Sequence, residues 1–223
     1  MKPTVNVLYL PGTNCQAETM RAFRQVGADP RMVFVADALA GRARLDDADI
    51  VCLPGGFSFG DPIAAGTLGG LLLRTRLRDQ FDACLKRPMI CICNGFQIAL
   101  RAGCFGSNVA LTTNSSGTFT NKPQQRHRVA SANDSPWLAG LQGTVLEFPC
   151  AHGEGRFIYT APGGWEVALQ YSADDNPDGS AGDIAGITAN DGLVFGLMNH
   201  PERAVDPAVR LAFFANGTSA ARF

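Results

Sequence analysis

The chain has 223 residues, 46% of them hydrophobic, with 19 basic against 20 acidic side chains and a net charge of −1. That length suits one large domain over residues 1–223 with a well-buried core. The charge balance argues against nucleic acid as a partner, and no apolar run approaches the ~20 residues a membrane helix needs.

The N-terminus, Met1-Lys2-Pro3-Thr4-Val5, lacks a signal peptide's apolar run. The seven cysteines are 15, 52, 84, 91, 93, 104 and 150. They show no Cys-x-x-Cys or Cys/His zinc spacing, so free thiols, a reducing cytoplasm and no metal are expected.

Val5–Leu10 reads as a first strand, and Asn14 is placed to cap a helix that Gly27 ends. Met32–Val35 and Ile50–Leu53 read as the next strands. The β-α-β order predicts a mostly parallel sheet with helices on both faces, and ligands beyond the carboxyl ends of its strands. At one such end stands Pro54-Gly55-Gly56-Phe57-Ser58-Phe59-Gly60-Asp61. Paired glycines let backbone N–H groups approach a ligand, although an ordinary turn has the same composition. The absence of Gly-Lys-Ser/Thr argues against a phosphate loop.

Gly66–Leu85 reads as one long helix, and Met89–Ile92 as a buried strand. Cys93 follows at once, then Asn94, Gly95 and a second helix with Phe96, Ile98, Ala99 and Leu100 on its apolar face. A reactive residue between strand and helix, with Gly two positions on, has the form of a nucleophile elbow. The helix N-terminus behind it favours a thiolate and an oxyanion. Alone, Cys93 also fits a buried small hydrophobe.

Ala102–Pro123 reads as irregular, and Arg128–Ala132, Thr144–Phe148, Val167–Tyr171, Ile184–Thr188 and Leu193–Met198 as strands. The second half is thus a strand-rich antiparallel extension. A last helix runs from Pro207 to Asn216, closed by Gly217.

There are three histidines. His127, between two arginines, reads as solvated, and His152 fits either a site or a turn. His200-Pro201-Glu202 lies at a strand end and offers a base with a carboxylate to orient it. Alone, a His-x-Glu also fits exposed decoration.

Five blocks occur in order: Pro54–Asp61, Cys93-Asn94-Gly95-Phe96-Gln97, Ala151-His152-Gly153-Glu154-Gly155-Arg156, Asn176-Pro177-Asp178-Gly179-Ser180 and His200-Pro201-Glu202-Arg203. Together they resemble class I glutamine amidotransferases of the triad type, with a flavodoxin-like α/β fold. More closely they resemble the glutaminase subunits of phosphoribosylformylglycinamidine synthase. That resemblance implies Cys93 as nucleophile and His200 and Glu202 as its partners. It implies Gly55, Gly56, Asn94 and Gln97 in the glutamine site, with the N–H groups of Gly56 and Asn94 as oxyanion donors. It implies no cofactor on this chain, with ATP and Mg²⁺ on a large synthetase subunit joined by a small accessory subunit.

Two stretches depart from the family pattern. Pro62-Ile63-Ala64-Ala65 replaces Tyr-Leu-Arg-Ala after Asp61, and Asn199 replaces the Pro before His200. A paralogous subunit feeding another synthetase, or a cysteine peptidase or stress protein of similar fold, are the alternatives.

Overall fold

The computed structural model describes residues 1–61, 63–172 and 174–222. Pro62, the first of the departing residues, lies outside them. The parallel strands are short and apolar. β1 (Thr4–Tyr9), β3 (Ile50–Leu53), β4 (Met89–Ile92) and β11 (Val194–Leu197) lie side by side, with β2 (Asp29–Phe34) at the edge. Every residue of β3, β4 and β11 is buried, as for strands covered on both faces. The order β2-β1-β3-β4-β11 is flavodoxin-like.

Beyond β11 the sheet turns antiparallel through β10 (Ile184–Ala189), β9 (Glu166–Tyr171), β6 (Thr120–Val129) and β7 (Val145–His152). A separate ladder pairs β5 (Val109–Thr112) with β8 (Arg156–Tyr159).

Helices cover both faces. α1 (Gln16–Gln25) packs on α6 (Pro207–Ala220), and α3 (Thr67–Thr75) packs on α5 (Asn94–Ala102). Two shorter helices, α2 (Val35–Leu39) and α4 (Arg78–Cys84), complete the α-helices among the described residues.

Several expectations need correction. Asn14 does not cap α1: Cys15 is the cap residue, without a side-chain bond, and Asn14 Oδ1 instead accepts from the Cys15 thiol at 3.1 Å. The Gly66–Leu85 helix is two helices. Leu77 leaves helical geometry at φ −120°, which turns its side chain into the core ahead of Phe81. Ala102–Pro123 is not wholly irregular, since it contains β5 and the start of β6. The strand placed at Arg128–Ala132 is the end of β6, which stops at Val129.

Gly217 does not close the last helix. α6 runs on to Ala220, and Gly217 is buried where a β-carbon would run into the Trp137 indole. His127 is fully buried, not solvated. Strand alternation explains it: Arg126 and Arg128 point outward, so the residue between them points in. Its ring stacks on Phe148 at 3.9 Å.

Candidate active site

Three strand ends and one sharp turn build the site. Cys93 follows β4 at φ 52°, a left-handed conformation that costs a non-glycine residue energy. Its N–H donates to Leu197 O at 2.8 Å, and its carbonyl starts α5 by accepting from Phe96 and Gln97. Gly95 lets α5 approach β3, because a β-carbon there would run into the Leu53 carbonyl. The geometry is that of the predicted elbow.

Gly55 and Gly56 follow β3 and lie against the turn after β1. Asn14 and Cys15 N–H groups both donate to Gly55 O, and Thr13 bridges to Gly56. Gly55 sits between nucleophile and base. A β-carbon on it would lie 2.9 Å from His200 Cε1 and 3.5 Å from Cys93 Cβ. Among the described residues, neither the Gly56 nor the Asn94 backbone N–H has an acceptor. The Asn94 side chain accepts from Ser58 N at 3.0 Å and donates to Asp61 at 3.2 Å and to Gln97 Oε1 at 2.9 Å.

His200 follows β11, and its N–H donates to Pro149 O at 2.8 Å. Its Nδ1 lies 2.7 Å from Glu202 Oε1, both side chains being buried. Burial opposes a charge on this imidazole, yet the charges of Glu202 and Cys93, with thiol contacts from Cys15 and Cys93, hold its pKa well above the usual range. Among the described residues, the buried Glu202 Oε2 has no hydrogen-bond partner.

Cys15 is a second thiol near the base, 4.0 Å from Nδ1. The polar atoms of Cys15, His200 and Glu202 lie within 4.8 Å of one another, a spacing that could hold a metal ion. The Arg203 guanidinium, 3.1 Å from Cys15 Sγ and paired with Glu18, puts a positive charge beside that position. Burial pushes the Cys15 thiol pKa up, against the lowering influence of His200 and Arg203.

A cleft of about 140 Å³ opens at Cys93 and is lined by Gly56, Gln97, His152 and Glu154, among others. Phe57 and Phe119 line it too and are each 52% exposed, which marks them as its rim. Gln97 Nε2 donates to Glu154 O at 2.9 Å. A larger depression of about 620 Å³, by Trp165 and the Asn190–Gly192 turn, involves none of these residues.

The model of the CobB/CobQ-like glutamine amidotransferase domain matches residues 2–213. The chain belongs to this amidotransferase family. A similar relative from Thermotoga maritima, phosphoribosylformylglycinamidine synthase subunit PurQ, is 35% identical over 94% of this chain and 92% of its own. The PurQ of Haloquadratum walsbyi is 34% identical over 92% of both chains. A chain in the solved structure of PurLQS from Thermotoga maritima superposes with a TM-score of 0.82 at 32% identity, covering 100% of this chain and 98% of that one.

The amidotransferase thus brings together all seven residues singled out by sequence: Cys93, His200, Glu202, Gly55, Gly56, Asn94 and Gln97. His152, left open between site and turn, lines the cleft. Cys15, Phe119 and Asn199 were not among the predicted site residues. Nothing local marks Cys15 or Phe119, because their approach depends on packing across the sheet.

Proposed function

We propose that this chain is the glutaminase subunit of phosphoribosylformylglycinamidine synthase in de novo purine biosynthesis, working in the cytoplasm. The placement of Cys93 on the cleft, with Gly55 packed between it and a buried His200 that is paired with Glu202, carries this reading. The likeness to PurQ proteins over some nine-tenths of the chain supports it.

The Cys93 thiolate attacks the side-chain carbonyl carbon of glutamine, forming a C–S bond. The carbonyl oxygen becomes an oxyanion, held by the N–H groups of Gly56 and Asn94. His200, as imidazolium, gives its Nε2 proton to the amide nitrogen, the C–N bond breaks, and ammonia leaves. A glutamyl thioester remains on Cys93. His200, now neutral, takes a proton from water as the oxygen attacks the thioester. The C–S bond breaks, glutamate leaves, and the thiolate is restored. Glu202 fixes the imidazole tautomer and balances its charge. Gln97 forms part of the glutamine-binding wall with Gly55 and Gly56.

This half-reaction needs no cofactor on this chain. ATP and Mg²⁺ belong to the large synthetase subunit, which uses the ammonia to convert formylglycinamide ribonucleotide to the amidine. The small accessory subunit completes the assembly. No helix among the described residues is long and apolar enough to cross a membrane.

The test is steady-state glutamine hydrolysis by the purified chain, alone and with the large and small subunits. Stimulation by that pair, raised further by ATP and the ribonucleotide, is expected. Hydrolysis that ignores the pair favours the second reading, a paralogous subunit feeding another ATP-dependent synthetase. The departures at Pro62–Ala65 and Asn199 speak for that reading.

A further inference from the structure

Asn199 precedes the base, and its side chain is buried, 1% exposed. A carboxamide in that position costs about 1–3 kcal/mol if its polar ends are unpaired. Here both ends are paired. Oδ1 lies 3.2 Å from His152 Nε2 and 3.5 Å from the Tyr171 hydroxyl, while Nδ2 meets His127 Nε2 at 2.5 Å. The three partners come from β7, β9 and β6, the antiparallel half of the sheet.

One of these contacts, that to His152, bears on the site, and a backbone bond of the next residue joins it. His152 lines the cleft beside Cys93, and its neighbour Ala151 accepts from Cys93 Sγ at 3.7 Å. The backbone of His200 is hung on the same strand, β7, through Pro149 O. The strand that forms the cleft wall therefore also carries the base, and Asn199 is the side-chain brace between them.

We propose that Asn199 is a positioning residue of the glutaminase, setting the His152 ring in the cleft wall and the backbone of His200 through one carboxamide. This rests on the glutaminase reading above. Among the described residues Asn199 makes no side-chain hydrogen bond to Cys93 or Glu202, so it acts through the placement of other groups. A buried network whose hub is paired at both ends selects one arrangement, and removing that hub frees several.

The experiment compares the wild-type chain with Asn199→Ala and Asn199→Asp, each assembled with the large and small synthetase subunits. Asn199→Ala is expected to lower kcat about tenfold or more with a smaller change in KM, since displaced catalytic groups cost rate before affinity. Asn199→Asp keeps the shape and sets a carboxylate at His152. The groups already facing His152 are Cys150 Sγ at 3.2 Å, Asp178 Oδ2 at 3.7 Å and Asn114 Oδ1 at 3.3 Å, with the charge of His200 nearby.

In the wild type, burial chiefly keeps His152 neutral, its pKa pulled down to about 4 despite the raising effect of Asn199. A new carboxylate favours the imidazolium, so the kcat profile of Asn199→Asp gains an ionisation between about pH 5 and 8 that the wild type lacks. With only three histidines in the chain, ¹⁵N ring spectra assign that proton to His152.

A folded Asn199→Ala with wild-type kcat, KM and pH profile overturns the proposal, even if it melts lower. Should that variant not fold, an unchanged pH profile in Asn199→Asp overturns it instead. A wild-type complex unable to hydrolyse glutamine overturns the glutaminase reading itself, a result distinct from selective loss in the variants.

Discussion

Cys15 Sγ lies 4.0 Å from Nδ1 of His200, on the side of the imidazole that Glu202 also faces. The base therefore has a thiol neighbour besides the proposed nucleophile. What separates the two thiols is access. Cys93 lines the cleft, whereas Cys15 does not and is 1% exposed, with Arg203 and Asn14 against its sulfur. A glutamine analogue bearing an electrophile at the side-chain carbonyl should label Cys93 and spare Cys15. Peptide mapping reads the outcome, and label on Cys15 would overturn the assignment of nucleophile.

The His200–Glu202 pair sets the second expectation. Nδ1 has Glu202 Oε1 at 2.7 Å, and the carboxylate's charge helps to hold the imidazolium in a buried place. His200→Ala should cost about 10⁴-fold or more in glutaminase kcat, and Glu202→Gln less, because a neutral carboxamide oxygen still accepts the Nδ1 proton. Stopped assays of ammonia release measure both. Equal losses would mean that the charge of the carboxylate matters as much to turnover as the imidazole itself.

Much of this site was legible because its parts are local. β3, β4 and β11 are unbroken apolar runs of four buried residues, and Cys93-Asn94-Gly95 stands directly between such a strand and a helix. The i, i+2 spacing lets Glu202 reach His200, and the family resemblance separates that pair from exposed decoration. What stayed hidden is non-local. Asn199 meets His127 across 72 positions of sequence and His152 across 47, so no window contains the brace. His127 was misread because its arginine neighbours describe the opposite face of β6. The α3–α4 break was missed because apolar periodicity runs through it, and only the docking of Leu77 interrupts the helix.

Burial of two neutral histidines predicts acid sensitivity. His127 is pulled down to about 3 and His152 to about 4, both chiefly by desolvation. Their folded values lie below the ordinary one of about 6.5, so the unfolded chain binds protons first as pH falls. Each should then cost about 2 kcal/mol of stability between pH 7 and pH 5. His200 works the other way, its raised value giving stability that is complete below about 6.5 and lost as pH rises through the folded value. Asp61 and Asp178, both raised by burial, partly offset the acid loss. Chemical denaturation at pH 7 and pH 5 should show His127→Gln losing about 2 kcal/mol less than the wild type over that interval. An identical loss in both proteins would rule out a neutral buried His127.

The last prediction concerns the segment beside the proposed oxyanion donors. Phe59 at φ 57° and Asp61 at φ 45° hold left-handed conformations that persist only where neighbours enforce them. Those neighbours are specific. Asn94 binds Ser58 N and the Asp61 carboxylate, Asp61 Oδ1 accepts from Gly66 N at 3.0 Å, and Glu154 Oε2 accepts from Ala65 N at 3.1 Å. Asn94 thus ties the elbow helix to the loop that carries Gly56, and sets one oxyanion donor relative to the other. Asn94→Ala keeps its own backbone N–H and loses the tie, together with the bond to Gln97 Oε1. Its glutaminase kcat in the assembled synthase should fall by about 10²-fold, the scale of losing one oxyanion donor. Labelling of Cys93 by the electrophilic glutamine analogue should still go to completion, because the nucleophile and base are untouched. A variant with wild-type kcat would mean that the loop holds Gly56 in place without Asn94, leaving the contacts at Glu154 and the turn after β1 to set the donor.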